Sequence, residues 1–304
     1  MKNPINKDYT LKVEGSYNVE EIINQYKSQF NLDVSEYFQD IENIKIYKCQ
    51  KTKYRFYFPF TIVGDGVFYE LLSNSKNNYY HSRWEHKEAL KYAVKPDKWL
   101  EIGSGNSYFL KQLANKDVEC TGLELNQVEV DNARAIGLNV VNKDFFTSIN
   151  ELGKFNVIAL FQVLEHMWDI SLFFKKASDL LEPNGKIIFS VPNSNPYLYV
   201  FDKFHTLNLP PHHMGLWNKE SVRLVGKEFG FKLIDCQTER LSDYELIYLF
   251  ENSRVSDLLK LNLKYGILKI VYALFPLKLR PRIATLFRNR FLEGRNLFVV
   301  LEKI

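Results

Sequence analysis

Glu101, Gly103, Gly105 and Glu124 are spaced as the residues of a ligand-binding turn are. They lie in DKWLEIGSGNSYFLKQLANKDVECTGLELN, residues 97–126. An apolar strand ends in Glu101 and a glycine-spaced turn follows. Tyr108 to Ala114 reads as a helix, and Cys120 to Leu123 as a second strand that ends in Glu124. Strand, glycine turn, helix, strand and acid is the order in which an open α/β sheet holds an adenine nucleoside. Glycines there let the backbone approach a ligand with no Cβ between. The second acid can accept two hydrogen bonds from ribose hydroxyls. Six histidines form the other reactive group: His81, His86, His166, His205, His212 and His213. A histidine near neutral pKa can take the proton of a hydroxyl nucleophile.

The turn also excludes ligands. A dinucleotide site needs G-x-G-x-x-G, and its last glycine is replaced by Tyr108, which would crowd a pyrophosphate. No G-x-x-x-x-G-K-[ST] phosphate loop occurs. Glu101 would repel a diphosphate but suits a cation. S-adenosylmethionine carries a sulfonium and an ammonium and no phosphate. The segment E-I-G-S-G-N-S, 101–107, resembles the first motif of the class I S-adenosylmethionine-dependent methyltransferases, E-x-G-x-G-x-G, with Ser107 in place of the last glycine. Later segments match in order: Glu124, Asp144-Phe145, the apolar run Asn156 to Phe161 leading into Gln162-Val163-Leu164-Glu165-His166, and LEPNGKIIFSVPN at 181–193. The resemblance covers roughly 80–240 and 295–303. It implies S-adenosylmethionine as cofactor, contacted by Glu101, Gly103, Ser104, Gly105, Glu124, Leu125, Asp144, Phe145 and Gln162.

The elements that would position these residues follow from that resemblance and from the apolar runs. Strands are expected near 97–101, 118–123, 138–141, 155–160, 185–191, 231–238 and 296–302, with helices between and the final pair antiparallel. The expected fold is α/β: a Rossmann-like seven-stranded sheet with an N-terminal α+β extension and a helical insert before the last strand. The divisions are 1–80 for the extension, 81–240 plus 295–304 for the core and 241–294 for the insert. Residues 1–42 are polar with a helical pattern; Asn18 reads as an N-cap before Glu20 and Glu21, with Ile22, Ile23, Tyr26 and Phe30 at helical spacing. Residues 44–62 read as two strands around a Lys/Thr turn. This N-terminal portion resembles an extension in bacterial methyltransferases of surface-glycan and natural-product pathways. Some of those carry paired cysteines that bind zinc. Here Cys49 stands alone in the hairpin, so no metal is expected.

Methyl transfer to a hydroxyl requires removal of its proton. His166 follows the fourth core strand, where ligands bind in such sheets. His212 and His213 lie in LPPHHMGLWN, 209–218, a stiff loop expected to cap the acceptor. His213 is placed slightly ahead of His212 as base, with His166 behind; packing roles remain open for each. Trp217 offers a stacking face for a sugar or ring, and Tyr80 and Trp84 stand where they could close over the methionine end of the cofactor. A mononuclear metal site has no obvious third ligand in the sequence. The expected reaction is O-methylation of a small-molecule or glycan-type acceptor. N- or C-methylation, or cofactor binding without turnover, remain the alternatives.

Composition sets outer bounds. The chain has 304 residues, 46% hydrophobic and 25% charged, ordinary for a folded soluble protein. A net charge of +4 does not by itself argue for nucleic acid as partner. Three distant cysteines suggest no disulfide framework. No apolar N-terminal signal and no run of about 18 apolar residues is seen. The expected compartment is the cytoplasm. The insert differs from the rest: residues 254–295 hold ten Lys/Arg against Asp257 and Glu293, a local charge of +8, interleaved with Leu258, Leu261, Ile267, Leu268, Val271, Leu274 and Phe275. Two readings stay open for it: contact with an anionic membrane at its inner face, or packing against the core or a second subunit.

Overall fold

The computed structural model describes residues 2–75, 83–147, 152–194, 208–240, 251, 254–261, 263–276, 278–280, 282 and 294–304. Two sheets organise them. Along the chain the strands are β1 (Leu11–Asn18), β2 (Asn43–Cys49), β3 (Arg55–Phe58), β4 (Lys98–Ile102), β5 (Glu119–Glu124), β6 (Val140–Asn142), β7 (Phe155–Phe161), β8 (Leu181–Pro192), β9 (Gly215–Leu216), β10 (Phe231–Thr238) and β11 (Asn296–Lys303). The helices are α1 (Val19–Phe30), α2 (Gly66–Ser75), α3 (Trp84–Ala89), α4 (Tyr108–Ala114), α5 (Gln127–Ala135), α6 (Ile170–Leu180), α7 (Lys219–Glu228), α8 (Val255–Leu261) and α9 (Leu263–Leu274).

The large sheet has seven strands in the order β10-β11-β8-β7-β4-β5-β6. The β4–β5, β5–β6, β4–β7 and β7–β8 pairs are parallel, and β11 runs antiparallel to both β8 and β10. This is the doubly wound arrangement expected from the sequence, with its antiparallel final pair. The central strands are covered on both faces and so read as continuous apolar runs. Trp99, Leu100, Ile158, Ala159 and Leu160 are at 0% exposure. Burying a Leu or Ile of this kind stabilises the fold by about 1.5–3 kcal/mol. Strand order reverses between β4 and β7, and ligands bind at the carboxyl ends of strands beside such a reversal.

The small sheet is antiparallel, β1-β2-β3-β9. The expected hairpin is present as β2 and β3. The first 42 residues are not purely helical, however. Residues 11–18 form β1, which pairs with β2. Its outer face is polar, and such alternation on an edge strand is easily missed in a polar segment. The Asn18 side chain then accepts from Glu21 N at 3.2 Å and starts α1, which buries Val19, Ile22 and Tyr26. The fourth strand of this sheet, β9, comes from the loop after β8, within the stretch assigned to the core. Arg55 pairs with Leu216 and Phe56 with Gly215. Fully buried Trp217 seals the seam against Tyr54, with ring centroids 4.4 Å apart. The extension thereby fixes the histidine loop to the large sheet.

Among the described residues no helix is long and apolar enough to cross a membrane.

Candidate active site

A cavity of about 1460 Å³ opens at the carboxyl ends of β4, β5 and β7. All nine residues expected to contact a cofactor line it: Glu101, Gly103, Ser104, Gly105, Glu124, Leu125, Asp144, Phe145 and Gln162. His166, His212 and His213 line it too.

The turn after β4 needs its glycines. Gly103 has φ +70° and Gly105 φ +49°, in the left-handed region. A Cβ on Gly103 would lie 2.7 Å from Val163 Cγ2. Ser107 also takes a positive φ, +57°, so the position where the motif has glycine keeps the glycine-like backbone at some cost. The turn is tied to β5 from two directions. Gly103 N and Ser104 N donate to Leu123 O at 2.8 and 3.1 Å, and Gly105 N donates to Glu124 Oε2 at 2.7 Å. Glu124 Oε1 accepts from Leu125 N and Asn126 N at 2.8 and 2.9 Å. Three peptide donors therefore fix a carboxylate that offers about four acceptor sites.

Glu101 is 4% exposed, and its Oε2 has no hydrogen-bond partner; nor does the buried Ser104 Oγ. Burial, and then the Glu124 charge, push the Glu101 carboxyl well above the usual carboxylate range, with the Leu110 peptide N–H pulling it back. A buried acid with one oxygen unpartnered, beside a bare backbone turn, fits a cationic group without a phosphate. Asp144 Oδ1 accepts from Phe146 N at 2.8 Å, which sets the turn after β6. Gln162, at the end of β7, has φ +57°, and its Nε2 donates to Ser190 Oγ at 3.1 Å. A positive φ on a residue other than glycine, held by its surroundings, is typical of functional sites.

The other wall is the histidine loop. Backbone bonds from His212 N and His213 N to Leu209 O fold it at 3.1 and 3.2 Å, and Met214 N donates to Glu165 O at 2.8 Å. The extension grips it from outside. Tyr26 Oη donates to Leu209 O at 2.9 Å, Gly64 N to Pro211 O at 2.9 Å, Tyr57 N to Met214 O at 2.9 Å and Tyr69 Oη to His212 O at 3.2 Å. The rings of His166, His212 and His213 lie within 4.9 Å of one another, centroid to centroid. His166 Nδ1 faces His212 O at 2.5 Å and Nε2 faces Gln162 O at 3.0 Å. Burial lowers its pKa to about 4 and outweighs the two carbonyls, which act in the opposite direction. The His212 ring packs near Phe68 and Tyr69. His213 Nε2 stands 3.9 Å from Glu165 Oε1. Glu165 is at 0% exposure, and neither of its oxygens has a hydrogen-bond partner. Burial raises its pKa to about 8.

Two expected substrate contacts sit elsewhere. Trp217 is fully buried against Tyr54 and Phe189 and is not on the cavity wall. Its indole is core, because β9 turns it inward. Trp84 packs on Phe298 and is not on the wall either; its neighbours Arg83 and His86 are. Tyr80 lies outside the described residues. Sequence reasoning gave no role to Glu165, Tyr69 or Arg83. The signal for Glu165 was a lone acid in the apolar stretch Val163–Leu164 before a histidine. The sequence also offered no third metal ligand beside His212 and His213, yet the fold brings His166 to them. One nitrogen from each ring falls within 4.8 Å of the others.

The family comparison agrees with this geometry. A family model described as a methyltransferase domain matches residues 77–235. The ubiquinone biosynthesis O-methyltransferase of Marinobacter nauticus is 26% identical over 132 residues, covering 40% of this chain and 56% of that protein. Its counterpart in Coxiella burnetii is 26% identical over 121 residues, covering 37% and 52%. The chain thus spans about half the length of the curated relatives it matches. Among solved structures, a SAM-dependent methyltransferase from Archaeoglobus fulgidus aligns with 71% of this chain and 90% of its own, at 16% identity and a TM-score of 0.49. With the family model spanning more than half of the chain and the turn, the two acids and the strand order in place, the chain belongs to the class I S-adenosylmethionine-dependent methyltransferases.

Proposed function

We propose that this methyltransferase acts on a hydroxyl of a small-molecule acceptor, phenolic or glycosyl, with His213 as general base. One observation carries the reading: the His213 imidazole, beside the buried Glu165 carboxyl, lines the same cavity as the Glu101–Gly105 turn. Glu101 and the turn would hold the charged end of the cofactor, Glu124 its ribose, and Asp144, Phe145 and Leu125 its adenine, with Ser104 and Gln162 completing the wall. When bound, S-adenosylmethionine supplies an activated methyl group on a sulfonium. The protein supplies alignment, a water-poor cavity and a place for the proton.

That place is His213 Nε2. The acceptor's hydroxyl proton passes to it as the oxygen takes the methyl group, and the resulting imidazolium faces the polar Glu165 carboxyl, which keeps its own proton. His166 is suited to a different task. Both of its nitrogens are held against carbonyls, and its pKa of about 4 makes it a poor base near neutral pH. Its one N–H fixes the ring against His212 O or Gln162 O and so positions it beside His213. Oxygen as the nucleophile is also supported by the relatives named as ubiquinone biosynthesis O-methyltransferases.

The test is methyl transfer from S-adenosylmethionine to a panel of phenols, catechols and sugar hydroxyls, with His213→Ala in parallel. The expected result is turnover that falls by about 10²–10⁴ in the variant, the usual contribution of a general base, while S-adenosylhomocysteine binding is unchanged. Turnover of amines alone, undiminished in His212→Ala and His213→Ala, would move the reading to nitrogen. Cofactor binding without turnover on any acceptor would leave a non-catalytic module.

A further inference from the structure

Helices α8 and α9 form a hairpin whose inner face is closed. Leu258, Leu268 and Tyr272 are at 0, 8 and 2% exposure. The two helices approach closely at Gly266, where a Cβ would lie 2.2 Å from Leu259 Cδ2. The opposite side of α9 is unlike an ordinary solvated face. Leu263, Ile267, Ile270 and Leu274 follow one another at intervals of four, three and four residues, which places them on a single stripe. Their exposures are 65, 49, 44 and 78%. Leu259 on α8 and Leu279 after α9 add exposures of 40 and 43%. Among the described residues, a helix that shows water a run of large aliphatic side chains while its other face is already buried lacks a partner for that stripe.

Charge identifies the partner. Arg254, Lys278 and Arg282 are exposed around the hairpin, and Arg280 lies over the Tyr272 ring. The surrounding 254–295 segment carries +8. A second copy of this chain would bring an equal positive charge against it. An anionic lipid surface supplies the opposite charge together with an apolar layer for the stripe. We infer that the outer face of α9, with its cationic surround, docks the enzyme on an anionic bilayer, the apolar stripe entering the headgroup–acyl boundary. The hairpin lies parallel to the surface in this arrangement and does not span it, which agrees with the absence of a spanning helix among the described residues. The inference does not depend on which hydroxyl is methylated.

The experiment is co-sedimentation of the full chain with large vesicles of phosphatidylcholine alone and of phosphatidylcholine mixed with phosphatidylglycerol. Binding is expected only with the anionic lipid, and to weaken in high salt. The paired substitution Ile267→Asn and Ile270→Asn, and separately Lys278→Glu with Arg282→Glu, should each weaken it by about tenfold or more. Unchanged S-adenosylhomocysteine binding shows that these variants are folded. Equal binding to both lipids, or binding that the stripe substitutions leave intact, overturns the inference. So does failure to bind vesicles together with a dimer, seen by light scattering, that Ile267→Asn dissociates; that outcome assigns the stripe to a second copy.

Discussion

His213 Nε2 lies 3.9 Å from Glu165 Oε1, and the glutamate is wholly buried with no hydrogen bond to either oxygen. The fold keeps a carboxyl in a place where water cannot reach it and sets one imidazole beside it. That arrangement has a thermodynamic signature. Burial raises the Glu165 pKa from 4.5 to about 8. In that window the unfolded chain has lost the proton and the folded chain keeps it, so stability falls as pH rises. The loss is on the order of 3 kcal/mol between about pH 5 and pH 8, and Glu101, also raised, contributes in the same direction. Glu165→Gln should flatten this slope in part, as read by urea denaturation at several pH values. In turnover, the same variant should lower kcat with little change in the cofactor's Kd. A variant whose pH–stability slope equals that of the parent would show that Glu165 is not held protonated.

Gly103 tests the proposed cofactor turn. Gly103→Ala faces two costs: a φ of +70° and a Cβ 2.7 Å from Val163 Cγ2. The strained φ alone costs about 1–3 kcal/mol. We expect lower stability and weaker S-adenosylhomocysteine binding by calorimetry. Adding Val163→Ala removes the clash and leaves the strain, so the double variant should recover only part of the loss. Full recovery would mean that the backbone conformation is not the constraint.

Glu101 predicts pH-dependent cofactor affinity. In the free protein its carboxyl is pushed well above the usual range, mainly by burial. A cationic ligand favours the ionised form, so binding should release a proton. Affinity for S-adenosylmethionine should then rise with pH until Glu101 ionises in the free protein. Calorimetry in two buffers of different ionisation enthalpy measures the proton directly. Glu101→Gln should bind about tenfold more weakly, the size of one modest charge interaction, and show no proton release at this site. A wild-type affinity independent of pH would remove Glu101 from the site.

The turn that lines the cavity at β4 and β5 was legible because its residues are local in sequence. Glu101, Gly103, Gly105 and Glu124 fall within 24 consecutive residues, on a strand, a turn and the next strand. The histidine wall of the cavity was less so, because it is assembled from residues far apart. Tyr26, Gly64 and Tyr69 reach a loop that begins near Leu209, and a two-residue strand, β9, completes a sheet begun at Leu11. No periodicity marks a two-residue strand. Trp217 shows the same limit: an aromatic residue in a loop with prolines and histidines reads as a stacking face, and the long-range pairing of β9 with β3 made it core. Trp217→Ala should therefore act through stability, at about 3–5 kcal/mol for a buried aromatic, and leave the acceptor KM unchanged at temperatures where the variant is folded.

The histidine trio poses the last question: a base with its supports, or a metal site. The three rings are close enough to offer one nitrogen each to an ion, and Glu165 stands behind them. His166 decides between the two. A ligating histidine presents one nitrogen to the metal and donates the other to an oxygen. Here both nitrogens of His166 face carbonyls, at 2.5 and 3.0 Å, so ligation would require the His212 or Gln162 peptide to give way. As neutral imidazole, His166 donates to one of these carbonyls only, so it holds either the loop at His212 O or Gln162 O at the end of β7. Activity should survive prolonged treatment with EDTA, and added zinc should not raise it. His166→Ala should lower kcat by loosening His213 while leaving the shape of the pH–rate profile unchanged, because the group it removes does not titrate near neutrality. Loss of activity in EDTA with recovery on zinc would instead make the trio a metal centre and withdraw the base from His213.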